Sequence, residues 1–223
     1  MKEGFVVEAG FVFQEETHLT VLKTSLFFAD DGFTVYDCKG DLVLRVDSYG
    51  PGPEALDSGE IVLMDGNGRC LLTVRRKMTS LHQRWEGFIG ERDSHQKPIF
   101  SVRRSSMIGR STLSVEVFRD PEPCEEYQIE GNFSRRCCTI FNAEMELVGE
   151  IRRKVDASTH VVLGKDAFSL CIKPGFDGAF AMGLVLILDQ INCDDYVTQV
   201  VQVEPVTDDS VTQGVPVEPV TDD

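Results

Sequence analysis

Before residue 177 the chain reads as short strands and turns, with Phe33-Thr34-Val35-Tyr36 alternating at a period of two. Short apolar runs are punctuated by Gly, Asp, Asn and Pro, the pattern of short strands and turns. Leu19 to Lys23 reads as a first strand. Phe33 to Tyr36 and Leu42 to Val46 flank the turn Asp37-Cys38-Lys39-Gly40, which predicts a β-hairpin. The hairpin recurs: Ile61 to Met64 leads through Asp65-Gly66-Asn67-Gly68 into Cys70 to Val74. Thr139 to Phe141 leads through Asn142-Ala143-Glu144-Met145 into Leu147 to Ile151. This recurrence predicts two related halves. Further strands are expected at Arg84 to Phe88, Ile99 to Val102, Ser111 to Phe118, Tyr127 to Glu130, His160 to Leu163 and Phe168 to Ile172. Gly50 to Pro53, Asp120 to Pro123 and Pro174-Gly175 are expected breaks.

One stretch departs from this pattern. From Ala179 to Leu188 every residue is apolar or Gly, so the segment is hydrophobic all round and belongs in an interior. A bilayer span needs about 20 such residues, which predicts a buried helix and no transmembrane span. Asp177 is placed to cap it. Gly183 costs roughly 1 kcal/mol of helix propensity against Ala, which a tight approach to a neighbouring wall would explain.

Ten to twelve strands must curl or close to bury one face and remove their edges. The expected fold is mainly β: about twelve antiparallel strands in a barrel closed around the C-terminal hydrophobic α-helix. The expected organisation is a segment of mixed pattern over 1–18, the barrel over 19–195 with its core helix near 178–193, and a tail over 196–223. The tail repeats Val203 to Asp209 as Val217 to Asp223. It is acidic and poor in aromatic residues, so it is expected to remain disordered.

Charge narrows the function classes. The net charge is −15, and six of the 37 acids lie in the tail, which has no base. The balance disfavours direct nucleic-acid contact, which leaves a basic footprint. Seven cysteines without regular spacing, and an N-terminus interrupted by Glu3, Glu8 and Glu15, point to a reducing, intracellular setting with free thiols.

Two stretches and the helix then resemble a known family. LTVLKTSLFFADDGFTVYDCKGDLVLRVDSYG at 19–50 is similar to the N-terminal signature of the plant LURP-one-related family. VLMDGNGRCLLTVRRKMTSLHQRWEGF at 62–88 resembles its central signature, with the spacing of Lys77, Leu81, His82, Arg84 and Trp85. The apolar helix sits where that family places its core helix. The resemblance covers about 19–195. It implies a twelve-stranded barrel around a central helix, similar to the tubby C-terminal domain and to phospholipid scramblases. It also implies a non-catalytic protein connected with plant basal defence. Tubby domains bind phosphoinositides and act as membrane-tethered regulators; their lipid-contact motif has no residue-by-residue match in this chain.

The candidate site is basic. Arg75, Arg76 and Lys77, then Arg103 and Arg104, then Arg152, Arg153 and Lys154 each follow an apolar strand. Arg binds phosphate through a planar fork. Strand neighbours face opposite sides, so these pairs are expected at strand ends near a barrel rim. They form either one patch for anionic phospholipid headgroups or three separate solvated strand ends. The other reading is a soluble scaffold for signalling proteins. Enzyme signatures such as GxSxG, the P-loop, GxGxxG and HExxH are absent from the sequence. No catalytic residue, metal ligand or cofactor is expected. Asp65-Gly66-Asn67-Gly68 is read as a turn rather than a calcium loop, and His82-Arg84-Trp85 as a packed corner. The fold could assemble a Cys/His pair such as Cys137 with His160. The expected location is intracellular: cytoplasmic, peripheral at the plasma membrane, or nuclear.

Overall fold

The strand pattern closes into a barrel. A computed structural model of the chain describes residues 4–25, 31–47, 60–77, 84–91, 93, 95–105, 112–119, 122–155 and 161–201. Its strands are β1 (Thr17–Ser25), β2 (Asp31–Tyr36), β3 (Leu42–Asp47), β4 (Glu60–Asp65), β5 (Cys70–Arg76) and β6 (Trp85–Ile89). They continue as β7 (Phe100–Arg104), β8 (Leu113–Arg119), β9 (Glu122–Asn132), β10 (Cys137–Asn142), β11 (Leu147–Arg153) and β12 (Ala167–Ile172). Each strand pairs antiparallel with the next, and β1 pairs with β12 to close the ring. The helix α1 (Gly178–Val201) follows β12. Every residue from Ala179 to Leu188 except Gly183 belongs to the buried hydrophobic core.

The three recurrent turns share one construction. Asp37, Asp65 and Asn142 each bond by backbone N–H to the carbonyl four residues on. Each also accepts, on a side-chain oxygen, the N–H of that fourth residue. The position before it is left-handed each time: Gly40 at φ 87°, Gly68 at 89° and Met145 at 62°. A bulge precedes each turn, between Val35 and Tyr36, Leu63 and Met64, and Ile140 and Phe141. The hairpins β4–β5 and β10–β11 stand half a ring apart.

The helix is held by fit. A Cβ at Gly183 would come within 2.4 Å of Leu72 Cδ2, so glycine lets α1 approach β5. On the facing wall, a Cβ at Gly87 would lie 2.1 Å from the Phe100 ring. That gap lets Phe100 reach Phe180, edge to face at 5.0 Å. Asp177 is nearly fully buried. Its Oδ1 accepts the N–H groups of Ala179 and Phe180. Its Oδ2 accepts those of Val6, Val7 and Glu8, docking the N-terminal segment onto the helix start.

Four expectations need correction. His160 lies outside the described residues, and Val161 to Leu163 make no strand. Val162 forms only an isolated bridge to Val155, because both valines are about half exposed and have no core to face. Asp120 and Pro121 lie outside the described residues, but Glu122 and Pro123 belong to β9 rather than to a break. A bulge at Val117/Phe118, opposite Pro123, accommodates the N–H that proline lacks. The helix continues to Val201, past the expected end near 193 and into what reads as tail, because backbone hydrogen bonding does not stop where the apolar pattern does. The barrel opens at Thr17, two residues before the expected start.

Candidate functional site

In a ring of twelve strands paired antiparallel, odd-numbered strands all run the same way. The basic clusters end β5, β7 and β11, so topology brings all three to one rim. The connections at that rim add Arg84 ahead of β6, Arg135 and Arg136 between β9 and β10, and Lys165 ahead of β12. The opposite rim carries the turns with Asp37, Asp41, Asp65, Glu144 and Glu146, together with Glu91 and Asp93. Asp31, Asp47, Glu60 and Asp166 also lie at the basic rim, and Lys39, Arg69, Lys97, Arg119 and Lys173 at the opposite one, so charge is biased end to end rather than segregated.

The clusters are not equally close. Neighbouring strands lie ~4.8 Å apart, so the β5 and β7 ends stand ~10 Å apart on the rim. The β11 cluster is six strands from β5. It lies across the mouth, at a distance on the order of 20 Å for a barrel of this size.

Glutamates on the same or other strands neutralise part of the basic charge. Buried Glu86 takes Lys77 at 2.9 Å and Arg75 at 3.4 Å. Arg75 also lies over the Phe88 ring. Glu116 takes Arg84 at 2.7 Å and Arg103 at 2.9 Å. Arg152 pairs with Glu150, and Lys154 Nζ donates to Thr20 Oγ1. Arg103, Arg104, Arg152 and Arg153 remain exposed, and Arg76 and Lys77 are half-buried. Trp85 is buried as expected of a packed corner, while His82 lies outside the described residues.

A buried ion cluster sits beneath this rim. Asp189, nearly fully buried, takes Lys23 at 2.9 Å and faces Arg136 at 3.9 Å. Arg136 lies between the Phe133 and Phe168 rings. It donates from Nε to the Lys165 carbonyl at 2.9 Å. Burial lowers the Arg136 pKa, and Asp189 opposes that shift. The cluster ties the helix to β1 and to the β9–β10 corner. Sequence reasoning missed it, although a signal existed: Asp189 directly follows ten residues with no charge, and a buried acid needs partners. Among the described residues, no helix is long and apolar enough to cross a membrane.

Residues 17–189 match the family model described as LURP-one-related. The chain is 66% identical to Protein LURP-one-related 5 of Arabidopsis thaliana over 196 residues, covering 87% of this chain and 92% of that protein. It is 61% identical to Protein LURP-one-related 12 of the same plant, covering 88% of each. An X-ray structure of an Arabidopsis thaliana protein superposes with a TM-score of 0.62 at 23% identity, covering 85% of this chain and 99% of that one; at that identity the likeness concerns the fold. A closed twelve-stranded barrel threaded by its last helix, matched from the first residue of β1 into that helix, thus places the chain in the LURP-one-related family.

Proposed function

We propose that this protein is a non-catalytic, intracellular module that reads anionic phospholipid headgroups at a membrane surface as a regulator connected with plant defence. The observation that carries this reading is the shared rim of the three basic clusters, opposite an acidic rim. Such a biased charge favours turning the basic rim toward an anionic surface. Each basic residue near that surface contributes about 1 kcal/mol, with salt sensitivity. The non-catalytic part draws support from membership of the LURP-one-related family and from a sequence without the GxSxG, P-loop, GxGxxG or HExxH signatures.

A second reading is a soluble scaffold for signalling proteins. It draws on exposed Val155, Val161 and Val162, which adjoin the β11 cluster.

Liposome co-sedimentation, with and without phosphoinositide, at low and physiological salt, tests the proposal. The control is the variant Arg76→Gln/Arg104→Gln/Arg153→Gln, which spares the residues paired with Glu86, Glu116 and Glu150. Binding that falls with salt and with the variant is the expected result. No binding at low salt overturns the lipid reading and leaves the scaffold.

A further inference from the structure

The far end of the barrel holds a different chemistry. β1 and β12 form the seam that closes the ring, and His18 pairs in register with Cys171 across it. Cys171 also stands opposite Glu150 of β11. Leu170 and Ile172 belong to the hydrophobic core and Cys171 does not, so its thiol faces the outer wall, yet it is almost fully buried. Glu16, just ahead of β1, completes the cluster. One of its oxygens, Oε1, stands 3.2 Å from His18 Nε2 and 3.3 Å from Cys171 Sγ. The three donor atoms all lie within 4.8 Å of one another. Lys173 holds the other Glu16 oxygen, and Arg152 pairs with Glu150 at the edge of the group.

We propose that Glu16, His18 and Cys171 form a site for a borderline-soft divalent metal of the Zn²⁺ class, stapling β1 to β12. Thiolate, imidazole and carboxylate are the ligands Zn²⁺ selects. Tetrahedral bonds of ~2.0–2.3 Å place ligand atoms ~3.3–3.8 Å apart. The present separations need only small side-chain adjustments to reach that geometry. Binding forms a metal–sulfur bond and releases the Cys171 thiol proton to solvent. A water, or Glu150 on leaving Arg152, takes the fourth position. The site joins residues from opposite ends of the sequence, where a cross-link constrains the unfolded chain most. Lys173 is the internal competitor, because its ammonium already neutralises Glu16. The three ligands stand at the end of the barrel away from the basic strand ends, Arg152 is the one described residue that borders both, and the Co²⁺ test reads the metal site without lipid.

The test adds Co²⁺ alone to the reduced, metal-free full chain. The expected result is a thiolate-to-cobalt charge-transfer absorption with tetrahedral visible bands, displaced by Zn²⁺. Cys171→Ser should abolish the charge-transfer band. Glu16→Gln and His18→Gln should each weaken Co²⁺ by at least the ~10–100-fold typical of losing even an outer-shell partner. Lys173→Met should tighten it, which a purely structural role for these residues would not produce. Zn²⁺ should also raise the melting temperature of the parent chain and not of His18→Gln. Should Cys171→Ser fail to fold, exposed His18 carries the test. No charge-transfer band, or a band undiminished in Cys171→Ser or His18→Gln, overturns the proposal; the latter would assign the metal to other thiols such as Cys137.

Discussion

Asp177→Asn removes one carboxylate oxygen at nearly constant volume, and the structure says which bonds go with it. Oδ1 keeps the Ala179 and Phe180 N–H groups, at 2.9 and 3.1 Å. In place of Oδ2, an amide NH2 faces three donors: Val6 N–H at 3.1 Å, Val7 at 2.6 Å and Glu8 at 2.9 Å. Flipping the amide only exchanges the lost N-terminal bonds for a lost helix cap. Bonds to a charged acceptor contribute ~1.5–3 kcal/mol each, and those that are only part-buried contribute less. The loss is then about 3–5 kcal/mol. At about 2–4 °C per kcal/mol for a domain of this size, melting falls by roughly 6–20 °C. Urea unfolding measures the change. The deciding arm removes residues 1–8, so that Oδ2 has no N–H to accept; there the substitution should cost about 1 kcal/mol or less. The double-mutant cycle should show a coupling of about 2–4 kcal/mol. A cycle that closes within about 0.5 kcal/mol refutes the docking role of Asp177.

Four further outcomes follow from particular contacts. Gly87→Ala drives a Cβ into the Phe100 ring and should cost about 1–3 kcal/mol by urea melt, more than Gly183→Ala, whose clash meets a movable Leu72 methyl and whose helix propensity rises. Met145→Gly should stabilise by about 1 kcal/mol, because Met145 holds the left-handed position that glycine fills in the two sister turns. Alkylation of the native chain, read by mass spectrometry, should modify exposed Cys38, Cys124 and Cys137 and spare Cys138, whose thiol burial pushes up to about 12. Burial raises the Asp65 carboxyl, but bonds from Arg69 and the Asn67 N–H outweigh it and hold the pKa below its ordinary value. Its contribution to stability is therefore complete above about pH 4 and is lost as pH falls through the lower folded value. The stability gap between the parent chain and Asp65→Asn should narrow on acidification over that window.

Much of this molecule is written in local pattern, and that part was legible. The apolar runs Leu42 to Val46 and Cys70 to Val74 dictate strands, the second of them buried on both faces from Leu71 to Val74. Asp or Asn followed by a left-handed position dictates the three tight hairpins. The apolar run after Asp177 dictates a buried helix, and Gly183 dictates where its wall comes close. The failures are local too: Val161 and Val162 look like a strand and find no core to face, and the proline of β9 looks like a break and is absorbed by a bulge.

What the chain alone could not specify are the relations that closure creates. The placement of basic residues at strand ends follows from the pattern. Their shared rim, and the separation of the β11 cluster from the other two, depend on strand direction and position around the ring. Glu86 and Glu116 neutralise arginines across strands, which no linear spacing shows, whereas Glu150 and Arg152 are two residues apart on β11. Asp189 with Lys23 and Arg136, Asp177 with Val6 to Glu8, and His18 with Cys171 join residues far apart in sequence. The physical reason is common to all of them. Side-chain period and turn chemistry act over a few residues and are set by the backbone itself. Partner choice among distant charges and thiols is set only when the first strand meets the last.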